Sequence, residues 1–494
     1  MQLNLTEKLQ WIADSAMLLL PEIALLIGLV VVLILGLFKS IKFRIQQLVT
    51  IAALAGSMIL TFYVWPANET TLFSGMIRLD AFSSFFKILF CSGGIITVVI
   101  TRNENLTRFK SEYLLLIAAV VLGANLLLMS QNFLMVVLSL ELISISSYVL
   151  AGFHFSRRAT EGSIKYFLFG SAATAIMIYG MSLLFGISGT LNFAGREFID
   201  SLIQVPPPLL LTGGLLVLVG FLFKIAAVPF HLWAPDIYES APTPVVGFFS
   251  VVPKLAGLGA LTKFTIAINL FGQSGTDWQL ILAVISFLSL LVGNFSALWQ
   301  KDAKRMMAYS SIAQTGYLLI GLVAMSLEAV QVMIFYGCIF MISNLLVFIY
   351  LQQLEQPDGK ISIQKLSGIG KAHPLASVLI SIGLISLVGM PPTGGFTSKL
   401  LIFSALWDAY DTAGKVSLLA LFSFGLINTV VSLFFYLRIP YYLFLKNQDA
   451  TPGATVKSWP IENLLGLILV VLVLCLFFRP DLLMGWINRV SFVL

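Results

Sequence analysis

Apolar residues run in long blocks along this chain, separated by short polar stretches, and the blocks are too long for strands or ordinary core helices. A helix rises 1.5 Å per residue, so roughly 17–25 mostly apolar residues cross the hydrocarbon of a bilayer. About fourteen blocks meet that length, beginning near Met17, Leu48, Phe82, Tyr113, Phe133, Ile164, Leu209, Val245, Trp278, Met306, Val332, Pro374, Val416 and Ile461. The one long interval between them runs from Gln353 to Lys371. No soluble domain fits between the spans, so 1–494 reads as one integral membrane domain. Within it the pattern divides into three N-terminal spans (1–111), two units (112–270 and 278–446) and a last span (461–494).

Composition removes the water-soluble alternative. Of 494 residues, 59% are hydrophobic and 11% charged, against roughly 25% charged in a soluble domain. The first apolar block lacks a basic stretch and a small-residue cleavage site, so it is expected to remain as a helix. The net charge of +6 could suggest nucleic acid, but the cations sit in loops as topology signals, which argues against it. Seventeen of the 29 Lys and Arg residues lie in one set of loops: Lys39, Lys42, Arg44; Arg102, Arg108, Lys110; Arg157, Arg158, Lys165; Lys301, Lys304, Arg305; Lys360, Lys365, Lys371; Lys446 and Lys457. The other side has Lys8, Arg78, Arg196, Lys415, Arg479 and Arg489. The cation-rich side is predicted to be cytoplasmic, which puts both termini outside. Cys91, Cys338 and Cys475 lie far apart in apolar surroundings, with no CxxC pair to hold zinc or an iron–sulfur cluster, and read as small buried hydrophobes.

Six cations remain inside the apolar blocks: Lys87, Lys224, Lys254, Lys263, Lys399 and Arg438; of the acids, Glu141 lies deep in a span. A charge at the bilayer centre costs about 2.5–3.5 kcal/mol on insertion scales, so such residues face the protein interior and do something there. Glu141, Lys224, Lys254 and Lys399 are expected near mid-membrane, where a static ion pair is the bland alternative to a functional role. Lys263 follows Lys254 by nine residues, half a turn out of phase on a helix, and is expected to snorkel to the surface or meet another subunit. Lys87 and Arg438 receive the same reading.

Two spans are broken. Pro229 and Pro235 follow Lys224, and Pro391 and Pro392 with Gly389, Gly394 and Gly395 precede Lys399. Proline removes a backbone donor and clashes with the preceding turn, and carbonyls freed at this depth are tolerated where they line protein or a wet cavity. Paired broken helices in corresponding positions mark an inverted-repeat core. The predicted fold is therefore all-α and transmembrane, with two inverted five-helix repeats (spans 4–8 and 9–13) broken at spans 7 and 12. The five-span shift maps the Glu141 span onto one with no carboxylate, which has Ser310, Ser311, Gln314 and Tyr317 instead. His154, His231 and His373 lie at span ends or breaks; of these, His231 beside the broken helix is the candidate for a proton relay, imidazole titrating near neutral pH.

The stretch FLFKIAAVPFHLWAPDIYESAPTPVVGFFSVVPKLA, with the later PPTGGFTSK, resembles the broken-helix signature of the antiporter-like subunits of respiratory complex I, the proton-pumping NADH:quinone oxidoreductase. Helix number and orientation agree over essentially the whole chain. Among the three branches of that family, the M-type carries glutamate where Lys399 stands, and the L-type continues into a long lateral helix for which this chain is too short. The N-type fits, including LLPEI around Glu22. The resemblance implies that Glu141 and Lys224 form a coupled pair, Lys254 a central relay and Lys399 a terminal lysine near the outer exit. It also implies a bacterial inner-membrane location, with K-type and M-type neighbours and the lateral helix of the L-type subunit as partners. NADH, FMN, iron–sulfur clusters and quinone would belong to other subunits of the complex, with no cofactor in this chain, and no GxGxxG nucleotide pattern occurs here.

The expected mechanism is that charge rearrangement in a neighbour weakens the Glu141–Lys224 attraction and sends the Lys224 proton towards Lys254 and Lys399. Moving one charge against about 200 mV costs roughly 4.6 kcal/mol, equal to about 3.4 pKa units. Burial shifts lysines by up to about 3–5 units, so amines can do this work, whereas arginine never deprotonates. The competing readings are a subunit of a multisubunit cation/proton antiporter, the membrane arm of a hydrogenase-type complex, and a purely structural subunit.

Overall fold

A computed structural model describes residues 15–38, 40–66, 69–103, 109–203, 206–269, 277–355, 359, 361–446 and 460–490. Lys8, Lys39, Arg108, Lys360 and Lys457, counted above as loop charges, lie outside the described residues. Among the described residues thirteen helices are long and apolar enough to cross a membrane, and a further crossing is split by its proline break. The helices are α1 (Leu20–Leu37), α2 (Phe43–Tyr63), α3 (Ala81–Ile100), α4 (Lys110–Met129), α5 (Phe133–Ala151), α6 (Arg157–Ser188), α7a (Pro207–Ile225) with α7b (Trp233–Ser240), α8 (Thr243–Asn269), α9 (Trp278–Leu298), α10 (Ala303–Val323), α11 (Leu327–Gln353), α12a (Pro374–Val388) with α12b (Gly394–Ala413), α13 (Val416–Tyr436) and α14 (Pro460–Phe478).

Several helices begin earlier than their apolar blocks because a capping side chain, which hydropathy does not register, starts them. Ser156, Asp302 and Ser326 accept from backbone N–H groups at the heads of α6, α10 and α11, satisfying donors that have no partner within the helix. One small departure from an all-helical chain is an antiparallel hairpin of β1 (Thr70–Leu72) and β2 (Ile77–Leu79), with Thr71 opposite Arg78. The interval after Gln353 is not featureless either. It makes short turns at Ile363–Leu366 and Ile369–Ala372, and Gly368 N–H donates to Tyr442 O at 3.2 Å.

The two five-helix units α4–α8 and α9–α13 repeat one packing plan. α4 lies on α5 as α9 lies on α10, and α6 lies on α7a as α11 lies on α12a. Because each unit has an odd number of crossings, the second starts from the opposite side, which makes the repeats inverted. At the centre, α8, α10 and α11 are buried almost all round, so none of them shows the one-sided apolar stripe of a helix with a solvent face. The outward residues of α1, α6, α13 and α14 are large and apolar, which suits lipid. The core therefore places Lys254 (α8) and the polar residues of α10 at the middle of the molecule, flanked by the two breaks.

Candidate functional site

Each break strands carbonyls that a continuous helix would have used, and the chain supplies a donor to several of them. After α7a, the Trp233 indole N–H donates to Phe223 O at 3.0 Å and Thr315 Oγ1 donates to Ile225 O at 2.9 Å. Val228 N–H, freed on the other side of the break, donates to Ser289 Oγ at 3.0 Å. After α12a, Lys399 Nζ donates to Val388 O at 2.7 Å and Gln314 Nε2 to Leu387 O at 2.9 Å. The lysine thus stands at the negative end of a half-helix, where the aligned peptide dipoles favour a cation. Lys224, next to last in α7a, occupies the matching end in the first repeat.

Lys224, Lys254 and Lys399 are 2%, 3% and 4% exposed, and among the described residues none is ion-paired with an acid. Their polar contacts are neutral. Lys224 Nζ donates to Ser144 Oγ at 3.0 Å, and its stem crosses α8 at Gly257, one turn from Lys254, where an added Cβ would stand 3.2 Å from it. Lys254 Nζ donates to Ser311 Oγ at 2.6 Å and lies 5.9 Å from the Tyr238 ring centre, while the Tyr238 hydroxyl donates to the same Ser311 at 3.4 Å. Lys399 Nζ sits 4.2 Å over the Tyr317 ring.

The α10 residues that stand where the first repeat has a carboxylate turn out to join these lysines. Ser311 meets Lys254, and Tyr317, six residues on, meets Lys399. Between them Ser310 and the Tyr436 hydroxyl share a 2.5 Å hydrogen bond, Gln314 Nε2 donates to Tyr436 at 3.0 Å, and the Tyr336 hydroxyl donates to Gln314 Oε1 at 2.5 Å. Hydroxyls both donate and accept, so Ser310, Tyr436 and Tyr336 can exchange these roles by reorienting, while the Tyr317 hydroxyl is engaged by Thr429 at 3.2 Å.

Glu141 stands apart from the others. It is partly exposed, on the open face of α5 formed by Leu134, Leu138, Ile145 and Val149. Among the described residues no ion pair joins it to Lys224, whose ammonium goes to Ser144, one turn further along α5. His231 is half-buried in the α7 break and shares no hydrogen bond with these four residues; His154 is exposed, and His373 precedes α12a.

Other intramembrane cations depart from the expectation. Lys263 does not snorkel: it is buried, donates to Asp80 Oδ2 at 2.8 Å and Leu128 O at 2.5 Å, and faces away from Lys254. Lys87 likewise is wholly buried against Glu22, 2.8 Å away, so Glu141 is not the only intramembrane acid. Lys304, read as a loop cation, is buried and paired with Glu355 at 3.1 Å. Arg438 stays at a span end, donating to Leu298 O and Gln300 O. These pairs were hidden because their members are far apart in sequence. Burial alone would raise the Asp80 carboxyl, but Lys263 and the Ser83 donors outweigh it and hold it below its usual range. Its contribution is therefore present above about pH 4 and lost as pH falls through the depressed value. Lys263→Met should cost about 3–5 kcal/mol by leaving a buried carboxylate unpaired, and adding Asp80→Asn should recover part of it; thermal unfolding of the purified complex measures both.

Among the described residues no three His, Cys, Asp or Glu side chains converge as metal ligands. Cys91 and Cys338 are buried, as expected, whereas Cys475 is exposed on α14.

A repeat-built bundle with two broken helices and a buried lysine beside each break defines the class of antiporter-type membrane subunits, and the comparisons agree. Residues 130–427 match the family model described as NADH:quinone oxidoreductase/Mrp antiporter, TM. The chain is 36% identical over 478 residues to NADH-quinone oxidoreductase subunit N of Chlorobium chlorochromatii, covering 93% of this chain and 92% of that one. It is 35% identical to the chloroplastic NAD(P)H-quinone oxidoreductase subunit 2 of Mesostigma viride, covering 90% and 89%. A chain of respiratory complex I from Thermus thermophilus superposes with a TM-score of 0.80 at 28% identity, covering 94% and 98%. A chain of the Mrp complex from Dietzia, at 20% identity and a TM-score of 0.82 with 97% of each covered, shares the fold. The chain belongs to the NADH-quinone oxidoreductase subunit N family.

Proposed function

We propose that Lys224, Lys254 and Lys399 carry protons in turn through this subunit, with Glu141 biasing the first of them and His231 an accessory group in the break. The chain as a whole is a proton-translocating membrane-arm subunit of NADH:quinone oxidoreductase, and its enzymatic role is as part of that translocase. The observation that carries the relay reading is the α10 bridge, which reaches Lys254 at Ser311 and Lys399 at Tyr317. Three buried lysines that form no ion pair among the described residues make poor structural pairs but good proton carriers, since an amine, unlike a guanidinium, can give up its proton inside protein.

Glu141 supports a link to a partner. A carboxylate on an apolar open face is costly in lipid, so a neighbouring membrane subunit is the reading that fits this face, the K-type neighbour being the candidate. M-type and L-type subunits are the other expected neighbours. Redox steps with NADH, FMN, iron–sulfur clusters and quinone are assigned to other subunits. The location is the bacterial inner membrane with both termini periplasmic, a reading supported by the loop charges. The division into three leading spans, two repeats and a last span is part of the same reading.

Lys254→Met in the assembled complex tests it. In inside-out membrane vesicles, NADH-driven proton pumping should fall to background while the amount of complex stays normal; undiminished pumping refutes the relay. Glu141→Gln should retain more pumping than Glu141→Ala, because an amide can still hydrogen-bond where alanine cannot.

A further inference from the structure

We propose that Glu355 is the cytoplasmic proton-uptake group for Lys254, with Lys304 as its resting counter-ion. The inference rests on the relay reading above and adds the point at which the proton comes in. Glu355 follows the last turn of α11. Its Oε1 accepts from Lys304 Nζ at 3.1 Å and its Oε2 from Thr243 Oγ1 at 2.9 Å. Lys304 also donates to Ala241 O at 3.1 Å and Gly359 O at 3.2 Å. The lysine side chain is 1% exposed and the glutamate 15%, so the acid is the member that meets water.

This cluster lies at the end of two helix faces that converge on Lys254. On α8, Thr243, Gly247, Ser250 and Lys254 are spaced four, three and four residues apart, which places them on one face. On α10, Lys304 and Ser311 are separated by two turns, about 10 Å. The faces meet at the cytoplasmic end through Glu355, which holds both Thr243 and Lys304, and in the interior through the Lys254–Ser311 hydrogen bond. Ser250 and the Tyr238 hydroxyl are the polar groups in between, Tyr238 reaching Ser311 from α7b.

Among the described residues, the titratable groups around Glu355 are Lys304 on α10 and His154 on the loop after α5. Although part of its surface is exposed, His154 is desolvated by the protein around its ring, which pushes the imidazole down, with Glu355 opposing and Lys304 reinforcing. Arg305, one residue on, is engaged by Glu239 at 2.8 Å and Asp236 at 3.4 Å, and so holds α7b instead. In the uptake step an O–H bond forms on Glu355 at the expense of a hydronium ion, and the neutral acid relaxes its hold on Lys304, which keeps Ala241 O and Gly359 O. That O–H bond then breaks as an N–H bond forms on the neutral Lys254 amine by way of the intervening hydroxyls. Glu355 returns to carboxylate and recovers Lys304.

The test uses the whole complex in inside-out vesicles, where the cytoplasmic face meets the medium. Membrane potential and NADH oxidation are followed against medium pH. Glu355→Ala should lower the coupled rate at least about tenfold, and millimolar formate should restore it by replacing the lost carboxyl; Glu355→Gln, nearly isosteric, should lower it without rescue. Lys304→Met leaves the Glu355 carboxylate held by Thr243 alone, so the coupled rate should fall several-fold. A wild-type rate in both Glu355 variants, a loss that formate does not relieve in Glu355→Ala, or a wild-type rate in Lys304→Met overturns the proposal. Lys254→Met separates the two readings: normal pumping there refutes the relay itself, whereas lost pumping there with unaltered Glu355 and Lys304 variants refutes the uptake site alone.

Discussion

Lys399→Met should stop NADH-driven proton transfer through this subunit while the chain still folds and assembles. The substitution is mild structurally. Lys399 is buried but has no acid partner, so its loss leaves no unpaired carboxylate, and methionine fills the space of its stem. What disappears is one hydrogen bond to Val388 O, worth about 0.5–1.5 kcal/mol, and the cation over the Tyr317 ring, worth up to about 2 kcal/mol when desolvated. The functional loss should be far larger, because among the described residues no other titratable amine stands at the α12 break. Lys399→Arg distinguishes proton transfer from charge. Guanidinium keeps the positive charge but does not deprotonate in proteins, so it should block pumping as thoroughly as methionine. Pumping measured in vesicles with matched amounts of complex decides the point, and an active arginine variant would mean that only the charge matters.

Gly395→Ala should prevent α12a and α12b from packing as they do. A Cβ on Gly395 would lie on top of the Ser386 carbonyl oxygen, and that oxygen is backbone already accepting from Gly389 N–H. Neither partner can yield without reopening the turn that holds Lys399. Overpacking commonly costs about 1–3 kcal/mol, and a backbone clash at a broken helix belongs at or above the top of that range. The expected result is a severe loss of assembled complex in the membrane and a lowered Tm for what remains. Gly186→Ala on α6, where an added Cβ meets nothing within 4 Å, is the control and should assemble normally. Equal yields for the two variants would remove Gly395 from the account.

Much of this architecture could be read from local features. The apolar blocks, the loop cations and the prolines after Lys224 and before Lys399 reported the crossings, their alternation and both broken helices. Lys224, Lys254 and Lys399 stood out because a charge inside an apolar block needs a reason. The α10 residues Ser310, Ser311, Gln314 and Tyr317 were visible only as polar positions lacking a carboxylate. Their role became apparent once α10 was seen between α8 and the α12 break. Lys304 was misread for a physical reason: in KDAKR it has the neighbours of a loop cation, and nothing local distinguishes it from Arg305, which does reach solvent.

The sequence alone determined which segments enter the bilayer and where they break, because those choices depend on the medium each segment meets and on backbone donors that proline lacks. Tertiary structure decided which charges are paired. Lys263 finds Asp80 across 183 positions, Lys304 finds Glu355 across 51, and Lys87 finds Glu22 two helices earlier. It also decided that Glu141 faces outward while Lys224 turns to Ser144. An ion pair or an exposed face is a property of two elements meeting, and hydropathy along one element carries no record of its partner.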